Sequence, residues 1–466
     1  MRLTKLLAAG TLAAAAMQII PVPAGAQEKE APPAGGTPKN FTLPAKRNFS
    51  LPNGLEVTLV QYGEVPKATV ELMVRAGNVN EAPGQTWLAD LAGDLMREGT
   101  TTRTPAQIAE ETARMGGGLT IQVQSDQTDI AGDVLGEHAP EFVKLLADVV
   151  KNPRFPESEL PRLKANRVRQ LAIAKTQPQQ MALEKFRQVL YGNHPYGRIF
   201  PTEAMLQGYT IDQVKQFYDQ NFGAVRSHLY VAGKFDAGAV ERAIRESFSD
   251  WKRGTPQSSP PATAKSDRAV YTINRPDAVQ STIYMGVPVL DPSSKDYQAL
   301  RVTDAILGGS FGSRITSNIR ENKGYTYSPG SQVSSRPKSA YWVEVADVTT
   351  NVTGASLKEI FFEIDRLRKE PPSADELRGI QNYLAGIFVL QNSTRQGIIN
   401  QLQFAKLHGL GENYLNTVVT SVMAVTPADV QRIMQSQLDP AKMTIVVVGD
   451  EKQIAEQVAP YERVVQ

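Results

Sequence analysis

No cysteine occurs anywhere in the 466 residues, which excludes disulfides, a thiolate nucleophile, iron–sulfur clusters and cysteine-ligated zinc. Histidine is nearly as scarce. His138, His194, His228 and His408 lie far apart with no pair at i, i+4, so any metal would depend mainly on carboxylates. Charge of one sign is also lacking, with 50 Lys and Arg against 48 Asp and Glu. A nucleic-acid binder carries a clear positive excess to neutralise phosphates, and this chain has an excess of only +2. Past residue 20 no apolar run approaches the roughly 20 residues that a membrane-spanning helix needs. With 41% hydrophobic and 21% charged residues, the chain is ordinary globular material, long enough for two domains.

The first 26 residues read as an export signal. Arg2 and Lys5 form a basic start without any acid, Leu6 to Ile20 is apolar and rich in alanine, and Ala24-Gly25-Ala26 offers a cleavage site. Residues 27–43, rich in Pro and Gly, are expected to be a flexible leader. Beyond them the chain repeats itself. Thr210-Ile211-Asp212-Gln213-Val214 opens a helix that leads to the apolar strand Leu229 to Gly233; Thr426-Pro427-Ala428-Asp429-Val430 does the same before Ile445 to Gly449, with a constant offset of about 216 residues. Pro156 to Arg162 is answered in the same way by Pro372 to Arg378. Two homologous domains follow, residues 44–252 and 268–466, joined by a Pro- and Ser-rich linker, 253–267. Alternating stretches such as Leu55 to Gln61 and Val70 to Arg75 are interspersed with helical patterns such as Glu141 to Val150 and Ala355 to Arg368. The fold class is α+β, each domain a largely antiparallel sheet packed with helices.

Several segments, in order, carry a resemblance: Leu51-Pro52-Asn53-Gly54-Leu55, Met96-Arg97-Glu98-Gly99-Thr100, Gly192-Asn193-His194-Pro195-Tyr196-Gly197, Ile306-Leu307-Gly308-Gly309 with Ser313-Arg314, and Arg320-Glu321-Asn322-Lys323-Gly324-Tyr325-Thr326-Tyr327. Together with the duplication they resemble the insulinase or pitrilysin-type zinc peptidases, particularly the branch of the mitochondrial processing peptidase. The resemblance implies that the two domains form half of a clamshell chamber. It also implies a zinc motif, H-x-x-E-H, whose histidines bind the metal from one helix face while the glutamate activates the bound water. The matching positions here are Asp90, Gly93 and Asp94. The third ligand of the family, a glutamate, would fall near Arg169 to Leu171, where Leu160 to Leu183 holds no carboxylate.

Two lone carboxylates suit neither zinc nor its chemistry, so no metal is expected in this chain. Asp90 and Asp94 read either as a solvated helix face or as partners of the basic run Arg162, Lys164, Arg167, Arg169 and Lys175. Arg167 or Arg169 is then the candidate for an ion pair standing where zinc stands in active relatives. The resemblance assigns Arg320 and Tyr327 as donors to substrate carbonyls, a role their chemistry fits; the plainer reading is a structural arginine and a half-buried tyrosine. Tyr325 reads as core, and His194 as a turn residue. The glycine-rich Gly308 to Arg314 lacks P-loop spacing and is expected to frame the chamber. Gly116-Gly117-Gly118 is either a turn or, as the resemblance implies, the entrance to an edge strand that accepts a peptide by strand addition.

A lost zinc motif beside a retained Arg320/Tyr327 pair implies a non-catalytic subunit in a periplasmic heterodimer. Zinc is expected in a catalytic homologous partner, and peptides are the expected substrates. The alternative is a peptide-binding or assembly protein of the same fold. Neither nucleic-acid binding nor stable membrane insertion is expected.

Overall fold

The computed structural model describes residues 36, 38–258, 261–411 and 413–461. The expected signal peptide, 1–26, and most of the leader lie outside the described residues. Among the described residues, eleven strands make two sheets. The first runs β1 (Lys46–Ser50), β2 (Glu56–Gln61), β6 (Ser227–Gly233), β3 (Lys67–Val74), β5 (Thr128–Leu135) and β4 (Thr120–Val123). The second runs β7 (Ala269–Asn274), β11 (Thr444–Gly449), β8 (Gln280–Val289), β10 (Ser339–Thr349) and β9 (Gly330–Arg336). Each has one parallel pair, β2 with β6 and β7 with β11, and every other pair is antiparallel. The order β2-β6-β3-β5-β4 is the order β7-β11-β8-β10-β9. The fold is therefore α+β and duplicated, with β1 added at one edge.

The returning strands β6 and β11 explain the apolar runs seen in sequence. Both are central and covered on both faces, so they read as nearly continuous hydrophobic stretches and not as alternation. A parallel return requires a long crossover, and the helices that precede these strands, Ile211–Asn221 and Pro427–Gln437, begin with the same device. Gln213 N donates to Thr210 Oγ1 while Thr210 N donates to Gln213 Oε1, and Thr426 with Asp429 repeats the exchange.

The two halves interlock. The helix Pro178–Tyr191 belongs to the first half by sequence but packs on β8 and β11 of the second sheet. Its Phe186 is fully buried against Tyr284 and Tyr341, and a Cβ added at Gly286 would come within 2.7 Å of the Phe186 ring. The repeat-equivalent helix, Arg395–Leu407, packs on β3 and β6 of the first sheet. There Arg395 Nη2 meets both Asp133 oxygens at 2.9 and 3.1 Å, and Gln396 and Gln403 donate to the two oxygens of buried Glu71 at 2.6 and 2.7 Å.

The segment 253–267 contains neither helix nor strand among its described residues, yet it is pinned. Arg226 donates to the carbonyls of Thr255 and Pro256, at 2.9 and 3.2 Å, and Lys265 N donates to Leu190 O at 2.9 Å. The end of the expected flexible leader is anchored as well. Phe41 packs edge-on against Phe388, 5.4 Å between centroids, and Leu43 N donates to Asn416 Oδ1; apolar side chains next to an open helix surface gain by leaving water. Because the exchanged helix seals the second sheet, Phe186→Ala is expected to lower stability by about 3–5 kcal/mol, measured by denaturant unfolding with a probe in each half. Loss should register in both halves at once.

Candidate functional site

Asp90 and Asp94 lie one turn apart on the helix Leu88–Met96, with the opposite face buried through Leu88, Leu91 and Leu95. Across from them runs the helix Leu160–Thr176. Arg167 Nε donates to Asp94 Oδ2 at 2.7 Å, Nη1 to Asp90 Oδ1 at 3.2 Å and Nη2 to the Asp90 carbonyl at 3.2 Å. Its guanidinium also lies over the Trp87 ring, 5.9 Å from the centroid. Asn78 Nδ2 donates to Asp90 Oδ2 at 2.7 Å, and Arg97 lies 3.5 Å from Asp94 Oδ1. Every oxygen of the two carboxylates thus has a partner. The side chains of Arg167, Asp90 and Asp94 are only 15–18% exposed, so this is a mostly desolvated pair whose geometry must offset its burial.

Of the two arginines the sequence offered, the structure selects Arg167. Arg169 turns to Asn166, Arg162 to Glu98 and Glu159, and Lys164 to backbone oxygens of Gln207 and Tyr209. A signal for this was present: Leu163, Arg167 and Leu171 recur at i, i+4, i+8, so Arg167 lies on the buried face of its helix.

The residues at the zinc-motif positions do not fit zinc. Their carboxylates are already saturated by Arg167, Asn78 and Arg97, and Gly93 supplies no base. A Cβ at Gly93 would come within 2.8 Å of Val123 Cγ2 on the edge strand β4, which therefore sits close against this helix. Among the described residues no group of three or more His, Cys, Asp or Glu is placed to hold a metal ion. What remains is a cleft of about 260 Å³ lined by Asp90, Asp94, Arg167, Gln122 and Gln124. The histidines are engaged separately: His138 pairs with Glu141, His228 meets Thr58, His408 packs on Phe404, and His194 Nδ1 accepts from Tyr196 N within its turn.

Burial raises the Asp90 carboxyl above its ordinary range, with the Arg167 charge opposing it. Beneath it Glu81 is buried and pushed up to about 8, chiefly by desolvation, although Ala89 N and Asn78 Nδ2 both donate to it.

The second pair of candidates lies in the other half. A π-helical turn, Ser317–Asn322, carries Arg320, a geometry found often at functional sites. Thr326 is held to β10 by a bridge with Val348 and by its hydroxyl donating to Asp347 O at 2.6 Å. Tyr325 beside it packs on the second core as expected, while Tyr327 stands 82% exposed. The structure brings Arg320 and Tyr327 together, with Arg320 Cζ 5.4 Å from the Tyr327 ring centroid. It also adds a residue that sequence reasoning passed over. Phe311, 73% exposed at the tip of the glycine-rich loop, lies on the guanidinium at 4.4 Å. Arg320 thus lies against two rings and is tied to Glu321 at 2.5 Å, which orients its donors without using them all. The only signal for Phe311 was a large apolar residue among glycines.

The glycines of that loop serve close packing. Side chains at Gly308 and Gly309 would strike Glu344 and Asp304, at 2.5 and 2.6 Å. Both acids are buried, which holds Asp304 up at about 6 and raises Glu344 well above the carboxylate range; a bed of acids is the wrong setting for a phosphate. Arg314, at the end of the loop, is occupied by a bidentate pair with Glu376, both contacts 2.8 Å. Gly117 is likewise required by packing, since a Cβ there would lie 2.1 Å from Asp133 O, and the glycine run leads into the edge strand β4.

Two predictions follow from the ion pair and the acid beneath it. Arg167→Met should cost about 3–5 kcal/mol, because it strands two desolvated carboxylates, whereas adding Asp90→Asn and Asp94→Asn should restore most of that loss; urea denaturation of the series reads it out. Glu81 is raised in the folded state, so its contribution is complete below about pH 4.5 and disappears as pH rises through about 8. The stability of the unaltered chain relative to Glu81→Gln should fall across that window, in unfolding followed at several pH values.

Two family models match the chain: Insulinase (Peptidase family M16) over residues 57–201 and Peptidase M16 inactive domain over residues 208–384. An uncharacterized zinc protease of Rickettsia felis is 25% identical over 376 residues, covering 79% of this chain and 88% of that one. One of Streptomyces coelicolor is 22% identical over 412 residues, covering 86% and 89%. Among solved structures, a peptidase M16 inactive domain from Pseudomonas fluorescens superposes with a TM-score of 0.81 at 22% identity, covering 87% of this chain and 98% of that one. A protease from Helicobacter pylori does so with 0.81 at 18%, covering 88% and 100%. With the duplicated sheets, the matching models and the loss of every zinc-motif side chain taken together, the chain belongs to the insulinase family, peptidase M16, as a member whose zinc site is degenerate.

Proposed function

We propose that this chain is the zinc-free, substrate-orienting subunit of a periplasmic peptidase heterodimer, and that a homologous partner with an intact H-x-x-E-H motif supplies the zinc. The observation that carries this reading is the contrast between the two halves. In the first, Arg167 occupies the donors of the former metal site. In the second, Arg320, 22% exposed, lies against the exposed rings of Phe311 and Tyr327. A planar guanidinium and a phenol side by side are suited to hydrogen-bonding the carbonyls of an extended peptide, and both strengthen as a carbonyl oxygen gains charge. The edge strand β4, which among the described strands pairs with β5 only, leaves a backbone edge on which such a peptide can align. Export rests on the basic, apolar and small-residue pattern of residues 1–26. No described helix is long and apolar enough to cross a membrane.

In this assembly the chain's own residues bind and orient; they move no proton and hold no metal. The zinc of the partner would polarise the scissile carbonyl and activate water, while Arg320 and Tyr327 fix the register of the peptide. The test is co-purification from the native host followed by peptide hydrolysis, with and without chelator. The isolated chain should be inactive and the complex active. In that complex Arg320→Ala or Tyr327→Phe should lower kcat/KM about ten- to several-hundred-fold with assembly intact. Arg320→Lys should not rescue, since an ammonium lacks the planar fork. Asp90→Ala with Asp94→Ala should leave the chemistry nearly unchanged in whatever fraction stays folded. Robust chelator-sensitive turnover by the chain alone, or a stable complex indifferent to Arg320 and Tyr327, would overturn the assignment; recovery of the chain without any zinc-bearing relative would favour the scaffold role.

A further inference from the structure

The interlocked helix Arg395–Leu407 has a cleft on each side. In the one toward β1, β2 and β6 the polar groups answer one another: His228 lies 2.8 Å from Thr58 Oγ1 and 3.1 Å from Glu56 Oε2, and Lys406 meets the same Glu56 oxygen at 2.5 Å. The other, about 610 Å³, opens beside the edge strand β4, within the range of about 300–1,000 Å³ typical of small-ligand pockets. Neither the Asp90–Arg167 pair nor the Arg320 surface contributes a residue to it.

Its polar wall holds an excess of acceptors. Antiparallel pairing of β3 with β5 sets Glu71 opposite Ala131 and Met73 opposite Asp129, so the two carboxylates stand on one face, one diagonal step apart. Both are buried, 3% and 7% exposed. Their donors are amides. Gln396 and Gln403 serve Glu71, Gln124 serves Asp129 at 2.7 Å and Gln127 serves it at 2.8 Å, and among the described residues neither carboxylate forms an ion pair. Gln127 is itself only 6% exposed, and its side-chain oxygen has no hydrogen-bond partner. The crossing helix adds no charge here: its Arg395 is turned to Asp133 and its Lys406 to Glu56, and it meets the cleft with Asn400, Phe404 and Leu407. One cation borders the cleft, Arg336, whose guanidinium lies over the Tyr196 ring at 5.7 Å. That ring also carries the hydroxyl that donates to Asp126 at 2.5 Å, so Arg336 and Asp126 share one aromatic neighbour and the charge of Glu71 and Asp129 is left unanswered. Burial, with Glu71 beside it, pushes the Asp129 carboxyl up to about 7 against the bonds from Gln127 and Gln124.

We propose that this cleft binds a primary alkylammonium. The three N–H donors of such a group match two carboxylates and the unanswered Gln127 oxygen, and its methylene stem has Phe404 and Leu407 to lie against. A divalent metal suits the wall less, since it wants six or more oxygens and among the described residues no three His, Cys, Asp or Glu are grouped to hold one. Two sources carry the group: a free aliphatic amine, or a lysine side chain on a peptide laid along β4. Thr120 and Gln122 of that strand border the cleft while Ile121 and Val123 pack toward Gly93 of the helix Leu88–Met96, so alternate side chains of an added strand point into it. The lysine source rests on the reading of β4 as a peptide-accepting edge; the free amine does not.

The test is titration calorimetry of the full chain with pentylamine and with Nα-acetyl-L-lysine methylamide, against Nα-acetyl-L-norleucine methylamide, which keeps the stem and lacks the ammonium. The two ammonium ligands are expected to bind with a Kd between about 0.1 and 5 mM, and the norleucine derivative about tenfold or more weakly, because it leaves the carboxylates without a donor. The tighter ammonium ligand names the source, pentylamine a free amine and the lysine derivative a peptide. A bound cation favours the ionised carboxylate, so binding at pH 7 should release about half a proton from Asp129, read by repeating the titration in two buffers of different ionisation enthalpy. Asp129→Asn, checked for folding by circular dichroism, should abolish that release and weaken binding about tenfold. The ligand series uses the unaltered protein, so it stands even where the variant misfolds. It also needs no partner subunit, so its failure and the failure of the peptidase reading are separate results. Absence of binding by both ammonium ligands at about 20 mM, equal binding of the norleucine derivative, or a proton release that persists in folded Asp129→Asn would overturn the proposal.

Discussion

Everything in this molecule hangs on the reciprocal covering of its two sheets. A sheet with one face on its own helices leaves a second apolar face to be hidden, and each half lends the other a helix to do it. Phe186 on one helix and Arg395, Gln396 and Gln403 on the other are the contacts that hold. The consequence reaches the functional surfaces directly. The helix Pro178–Tyr191 follows immediately on the helix that carries Arg167, so the register of the ion pair depends on a helix locked into the opposite half. The two clefts flanking Arg395–Leu407 exist only because that helix crosses over.

Given this frame, the degenerate zinc site reads as a substitution of one cross-link for another. A metal with ligands on two helices holds those helices together, and so does a guanidinium with hydrogen bonds to carboxylates on the facing helix. Arg167 reaches Asp94, Asp90 and the Asp90 carbonyl, so three contacts replace a coordination shell. The link is retained and the Lewis acid is lost. Gly93 follows the same logic, because with no base required its lack of a side chain lets Val123 of β4 close onto the helix. In the second half Arg320 lies against the exposed rings of Phe311 and Tyr327.

Much of this was legible in the chain because it depends on local pattern. The duplication, the capped helices before β6 and β11 and the unbroken apolar character of those strands follow from residue type and spacing, whereas the loss of His-x-x-Glu-His chemistry at Asp90, Gly93 and Asp94 was located through the family resemblance. Arg320 and Tyr327 were placed by resemblance, and Tyr325 was separated from them correctly as core. Other features were readable only in part. Arg167 shares a buried stripe with Leu163 and Leu171, yet the weakly amphipathic helix around it has five cations, and spacing did not separate Arg167 from Arg169. The leader was expected to be loose through residue 43 because Pro and Gly dominate it; Phe41 and Leu43 find a surface whose existence no local pattern reveals.

The sequence by itself determined the secondary structure, the repeat and what chemistry is absent, since these depend on side-chain type, on helical and strand periodicity and on neighbours a few residues away. Only the tertiary structure decided which helix covers which sheet, which arginine answers the aspartates, that Phe311 joins Arg320 and Tyr327, and that Glu56, Thr58, His228 and Lys406 meet at a seam. Those pairings join residues up to several hundred positions apart, and what selects them is the shape and burial of the packed surfaces, a property of the whole fold that no local stretch of chain contains.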